Sequence, residues 1–392
     1  MTKLAGLKSV QQTIKTGARA KPWMPRFWSG MTPGPWFRLL RRNHYRVSPS
    51  RWAMAGIITG LTSLNYVYTM KQRLFWGRKI KDIELVDDPI FVIGHWRSGT
   101  TMLHELLVRD SRHTYPNTFD VFAPNHFLTS GWLLKPMLSV LMPKKRPMDD
   151  MPTGWERPQE DEFALCSMGA RSPYLSIAFP NNPPVDLEML DPKKAPPEDL
   201  QQWRELFHWF LKALTLRSAK RIVVKSPPHT GRIAMLLEMF PRARFIHMTR
   251  DPYVLFPSTV NMWSALMLDH GLQSARFEGI GEYVFDMFER LYEPFERDRP
   301  AVPTGQLIDV RFEDLTADPM GQTERIYGEL DLGDFEQVRP AVQQYVDSQR
   351  DYKKNRYEID DQLRAEIERR WGFYFERYGY EKTPRESSKP VG

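Results

Sequence analysis

Four short apolar runs, each bounded by polar or turn-forming residues, set the pattern of the chain. Ile90-Phe91-Val92-Ile93-Gly94 follows the turn-like Asp87-Asp88-Pro89. Arg221-Ile222-Val223-Val224-Lys225, Ala243-Arg244-Phe245-Ile246-His247-Met248 and Leu307-Ile308-Asp309-Val310-Arg311 have the same form. Runs this short and this apolar read as strands buried on both faces, the habit of parallel sheets. Between them the period changes. Met102-Leu103-His104-Glu105-Leu106-Leu107 has helical spacing and strong helix formers. A second helix is predicted from His229 to Phe240, with Ile233, Leu236, Leu237 and Phe240 on its apolar side, and Pro252 opens a third. The order β-α-β-α predicts an α/β fold: a central parallel sheet with helices on both faces and ligands at the carboxyl ends of the strands.

Ahead of the first strand the pattern is different. From Trp52 to Met70 no charge occurs over nineteen residues, close to the ~20 that cross a bilayer. Thr59, Thr62, Ser63, Asn65 and Thr69 dilute that run, and both flanks are basic, with Arg51 before it and Lys71, Arg73, Arg78 and Lys79 after it. The Lys/Arg bias therefore sets no orientation. Three readings of this segment stand: an interfacial amphipathic helix, a true span, or packing on the folded domain. The first lysines are followed by no apolar h-region, so the start does not read as a cleaved signal.

Charge sharpens the contrast. Residues 1–84 hold sixteen Lys/Arg against Asp82 and Glu84, a net +14, so a chain of net +7 carries −7 in its remainder. Five of the twelve tryptophans (Trp23, Trp28, Trp36, Trp52, Trp76) are interleaved with those arginines. That is the composition of a membrane-surface segment, and the apolar run speaks against nucleic acid as the partner. The lone Cys166 excludes an internal disulfide framework and a Cys-based zinc site, and fits either a reducing, cytoplasmic setting or indifference to redox.

The candidate chemistry begins where the first strand ends. Gly94-His95-Trp96-Arg97-Ser98-Gly99-Thr100-Thr101 places a glycine-rich loop between a strand and a helix, where backbone N–H groups gather around an anion. A Walker A loop would carry lysine at the position of Thr100. Its replacement argues against a nucleotide triphosphatase. The bland alternative is a capped helix, with Ser98 or Thr100 as the cap. Arg250 follows the third run, and Ser258 lies eight residues on, about two helical turns. An arginine fork with a hydroxyl suits a terminal phosphate.

Arg97-Ser98-Gly99-Thr100-Thr101 after a strand resembles the 5′-phosphosulfate loop of the sulfotransferases that use 3′-phosphoadenosine-5′-phosphosulfate (PAPS). It is the arginine variant, similar to the tyrosylprotein sulfotransferases and to many bacterial members. Arg250 and Ser258 match the family's 3′-phosphate site. The resemblance covers about residues 88–380 and implies a P-loop-NTPase-like sheet, PAPS as co-substrate, and in-line sulfuryl transfer. Arg97 would stabilise the leaving oxygen, with Ser98, Gly99, Thr100 and Thr101 around the phosphosulfate and Lys225 on donor or acceptor. The basic segment with Lys353 and Lys354 resembles the late loop that covers the 3′-phosphate. Phe312-Glu313-Asp314-Leu315 resembles another family segment, and no acidic metal cluster or Walker B acid is evident, so no metal is expected.

The base does not follow from the resemblance. Tyrosylprotein relatives carry a Glu shortly after the first helix, where this chain reads Thr118-Phe119-Asp120-Val121-Phe122. Glu160-Asp161-Glu162 at a predicted helix start is the replacement, with Glu160 first, Glu162 second and His126 a further candidate. The expected organisation is a helical extension over 1–84, a sulfotransferase domain over 85–382 and a flexible tail over 383–392. An insertion near 112–200, marked by Pro183-Pro184 and Pro196-Pro197, would shape the acceptor pocket. The acceptor class stays open: small molecule, carbohydrate, lipid or peptide. A kinase-like transferase and a non-catalytic membrane-surface protein are the rival readings.

Overall fold

The computed structural model describes residues 25–139, 154–349, 357 and 359–382. The four predicted runs are strands, here β1 (Ile90–Gly94), β3 (Arg221–Lys225), β4 (Arg244–Thr249) and β5 (Leu307–Arg311). A fifth, β2 (His113–Thr114), is too short to leave a signal in the sequence. They form one sheet in the order β2-β3-β1-β4-β5 with every pairing parallel. β1 is central. The chain leaves β1 toward β2 on one side and leaves β4 toward β5 on the other. The crevice outside the carboxyl ends of β1 and β4 is thus the topological switch point, where open α/β sheets bind their ligands.

Alternate residues of β1 serve opposite faces, as strand geometry requires. Ile90 and Val92 join a cluster with Leu103, Val223, Met248 and Val310. Phe91 and Ile93 join a larger one with Trp203, Phe207, Val224 and Phe245. Helices cover both faces, so an apolar strand is the favourable choice throughout.

The N-terminal segment is continuous with the second cluster. Trp28 and Trp36 are fully buried within it. Trp28 Nε1 donates to the His270 carbonyl at 2.8 Å, and Trp36 Nε1 to Thr59 Oγ1 at 2.9 Å. The uncharged stretch is the first part of a 31-residue helix, Trp52–Asp82. Thr62, Asn65 and Thr69, three of the five residues that dilute its hydrophobicity, are buried on its inner face. Asn65 Nδ2 donates to the carbonyls of Ser29 (2.7 Å) and Met31 (2.9 Å), and both threonines bond to carbonyls within the helix. One face of this helix therefore packs on the protein. Among the described residues no helix is long and apolar enough to cross a membrane.

The helix Asp161–Met168 is clasped to the segment after β3. Asp161 accepts from Ser226 Oγ at 2.9 Å and meets His229 Nε2 at 2.7 Å. Burial alone would raise this carboxyl, but His229 and Ser226 hold it below the usual range. Glu162 forms a two-pronged pair with Arg232 at 2.7 and 3.0 Å, both side chains fully buried, and the Trp203 ring covers the guanidinium at 4.7 Å.

Two expectations follow, both read by denaturant unfolding. Glu162→Ala leaves the Arg232 charge buried without its counter-ion and should lose about 3–5 kcal/mol, most of it regained in Glu162→Leu/Arg232→Met. Trp36→Ala should cost about 3–5 kcal/mol in the main unfolding transition. A separable appendage would leave that transition unmoved.

Candidate active site

The loop after β1 depends on two glycines. Gly94 (φ +131°) and Gly99 (φ +98°) have backbone geometry that L side chains rarely adopt. A Cβ on Gly94 would lie 2.4 Å from the Met248 carbonyl oxygen, and one on Gly99 would lie 2.2 Å from the Phe312 ring. Arg97 also has positive φ, +69°. Between them Ser98 closes a tight turn, its N–H and its hydroxyl both donating to the His95 carbonyl, at 3.1 and 2.7 Å. Ser98 thus shapes the loop with both of its donors. Gly99 is the N-cap of the helix Thr100–Leu107, and its lack of a side-chain cap leaves the N–H groups of the first turn to a ligand. Thr100 is buried and Thr101 half-buried in that turn.

The second predicted motif meets the first. Arg97 Nε donates to Ser258 Oγ at 3.1 Å, and Arg250 Nη1 donates to the Arg97 carbonyl at 2.8 Å. Arg250 follows β4 directly, and Ser258 lies inside the helix Pro252–His270, whose N-cap Asp251 accepts from Tyr253 N. The Arg250 guanidinium lies 4.3 Å from the Phe312 ring centroid. Two cations and a hydroxyl, 161 residues apart at the extremes of the set, therefore meet at the switch point.

A third group lies at the end of β3. Lys225 Nζ donates to Glu160 Oε1 at 2.7 Å. Tyr174 Oη donates to the other carboxylate oxygen and accepts from Trp96 Nε1 at 2.8 Å. Trp96 is the residue before Arg97, so this chain of bonds links Glu160 to the phosphate loop. Burial first, and then the Glu160 charge, pushes the Tyr174 phenol well above its ordinary value, which keeps it a donor. Lys225 is almost fully buried, whereas the Glu160 side chain retains 16% exposure.

The other predicted residues lie elsewhere. Glu162 is sealed in its pair with Arg232. His126 sits between Ser130 Oγ (2.8 Å) and Asn65 Oδ1 (3.2 Å) beneath the N-terminal helix, and burial pushes its pKa down to about 4. His95 and His104 are buried and pushed down to about 3, His104 by burial and then by the Lys225 charge. Lys353 and Lys354 lie outside the described residues. Three contacts had no separate signal in the sequence: Tyr174, Trp96 and the Phe312 ring under Arg250. Phe312 belongs to a segment singled out for its resemblance alone, and nothing in the spacing around Tyr174 distinguishes it.

Comparison with known proteins agrees with this geometry. A model described as "Sulfotransferase family" matches residues 89–337. Omega-hydroxy-beta-dihydromenaquinone-9 sulfotransferase Stf3 of Mycobacterium bovis is 41% identical over 372 residues, covering 95% of this chain and 96% of that protein. The protein of the same name from Mycobacterium tuberculosis matches equally. Among solved structures, sulfotransferase STF9 from Mycobacterium avium superposes with a TM-score of 0.64 at 17% identity, over 91% of this chain and 98% of that one. Sulfotransferase STF1 from Mycobacterium tuberculosis gives 0.58 at 16%, over 95% and 100%. At these identities the two structures speak for the fold. With a family match over most of the folded chain and a relative of 41% identity along nearly all of it, this chain belongs to the sulfotransferase family.

Proposed function

We propose that this enzyme takes its sulfuryl group from PAPS and places it on the terminal hydroxyl of an isoprenoid-type acceptor such as an ω-hydroxylated quinone. The observation that carries the donor half is the convergence of Arg97, Arg250 and Ser258 beside a glycine-cradled helix N-terminus at the switch point. A doubly phosphorylated nucleotide needs two anion sites, and this cluster offers both: the loop for one end, Arg250 with Ser258 for the other. When bound, PAPS supplies the sulfuryl group and a phosphate as leaving group.

The chain's own residues then divide the work. Arg97 is assigned to the negative charge that grows on the leaving oxygen, a role in which a fixed cation lowers the barrier. Lys225 is a second cation of that kind. Glu160 accepts the proton of the acceptor hydroxyl as its oxygen attacks sulfur, and Tyr174 and Lys225 hold the carboxylate in place. Ser98, Gly99, Thr100 and Thr101 line the loop, and Lys353 with Lys354 are proposed to cover the 3′-phosphate. The acceptor half is supported by the name of the 41%-identical relatives, which act on an omega-hydroxy dihydromenaquinone. The lone buried Cys166 accords with work on the cytoplasmic side.

The donor reading is checked by calorimetry without magnesium. Adenosine 3′,5′-bisphosphate should bind with a Kd of about 1 μM, and Arg250→Ala/Ser258→Ala should weaken it at least about tenfold, or ~1.4 kcal/mol. A preference for ATP with magnesium would overturn it in favour of the kinase reading. The base is checked by turnover on an ω-hydroxy isoprenoid quinone. Glu160→Gln should lower kcat by about 10²–10⁴ with donor affinity kept, whereas His126→Ala should change it by less than about tenfold. Unchanged turnover in Glu160→Gln would move the base elsewhere and leave the donor site standing.

A further inference from the structure

The outward face of the helix Trp52–Asp82 is unlike the rest of the surface. Trp52 (64% exposed), Leu74 (78%) and Phe75 (65%) project from it, together with Ile57, Leu64 and Val67. Exposed cations stand among them at Lys71, Arg73, Arg78, Lys79 and Lys81, and no acid occurs in this helix before its last residue, Asp82. The helix Phe127–Ser139 packs beside it, with Leu128 N donating to Gln72 Oε1 at 3.0 Å. That neighbour adds Trp132 (79% exposed), Leu133 and Met137. Exposed apolar side chains are ordinary when scattered singly. Gathered on two adjoining helices, they mark a docking surface.

We infer that this two-helix surface seats the enzyme on an anionic lipid bilayer, lying on it rather than crossing it. Charge decides the occupant. Apolar residues mixed with five cations against a single acid, Asp82, which pairs with Arg78 at 3.6 Å, leave the long helix strongly basic and complement phospholipid headgroups over an acyl layer, with each basic residue contributing about 1 kcal/mol. A second copy of the chain would fit poorly. A two-fold interface brings the same patch against itself, and five like charges would face their own images with only Asp82 to offset them. The inner face of the helix is already committed through Asn65 and Gln72, so the outer face alone is available. Lipid docking stands on these observations alone. Its use in presenting an acceptor hydroxyl rests on the isoprenoid reading above.

The test is co-sedimentation of the full chain with vesicles of phosphatidylcholine containing about 30% phosphatidylglycerol, beside pure phosphatidylcholine vesicles. The wild type should partition onto the anionic vesicles at least about tenfold more strongly, and about 0.5 M salt should remove most of that preference. Leu74→Ser/Phe75→Ser and Lys71→Glu/Arg78→Glu should each lower partitioning at least about tenfold while adenosine bisphosphate binding persists, which certifies their fold. Absence of wild-type binding to anionic vesicles, or variants that bind as the wild type does, would overturn the inference. So would a dimer at micromolar concentration, seen by sedimentation velocity and dispersed by Leu74→Ser/Phe75→Ser, since a second copy would then be the occupant. Loss of adenosine bisphosphate binding by the wild type itself would strike the donor reading and leave lipid docking untouched.

Discussion

Three consecutive acids, Glu160-Asp161-Glu162, grip the end of β3 and the segment after it, and the proposed active site depends on that grip. Glu160 reaches Lys225, Asp161 reaches Ser226 and His229, and Glu162 reaches Arg232. Consecutive side chains at a helix start radiate in different directions, so each acid meets a different partner. The two inner rungs are fully buried and would be expensive to leave unpaired. The outer rung keeps some contact with solvent. A carboxylate proposed to take a proton from an incoming acceptor cannot be sealed, yet it has to be held still. The inner pairs supply the rigidity and the outer one keeps the access.

The donor side follows a different logic, that of backbone. Gly94 and Gly99 admit conformations in which the chain passes within contact of Met248 and Phe312. That close approach joins the end of β1 to β4, and the loop after β1 to the helix that follows β5. Parallel pairing of β1 with β4 brings their carboxyl ends side by side, and Arg250 then bonds to the backbone of the loop that bears Arg97. The helix bearing Ser258 completes the set. Trp96 points the other way, to Tyr174 and so to Glu160. One loop therefore aligns both halves of the site.

The N-terminal segment shows how one composition serves two surfaces. Its tryptophans divide: Trp28 and Trp36 are core, while Trp52 is mostly exposed. The polar residues of the long helix divide as well, with Thr62, Asn65 and Thr69 inward and the lysines and arginines outward. In a hydropathy profile the inward polar groups merely weaken a span. In the fold Asn65 satisfies two carbonyls of the preceding turn, and the two threonines bond to carbonyls of their own helix.

By itself the sequence determined the four principal strands, the glycine loop, the residue set Arg97, Arg250 and Ser258, and the acidic cluster. Each of these is local: an apolar run, a glycine at a strand end, an eight-residue spacing. The tertiary structure alone decided which acid is accessible, because Glu160 meets Lys225 at the end of β3 and keeps some exposure, whereas Glu162 is sealed against Arg232 in the turn that follows. It alone placed His126 under the N-terminal helix, away from Glu160 and Lys225, and it alone brought Tyr174 to the carboxylate. Such contacts join residues separated by 14 to 161 positions, and no periodicity records them. Burial and pairing arise only once the sheet has closed the distance, and they turn a list of candidate residues into a site.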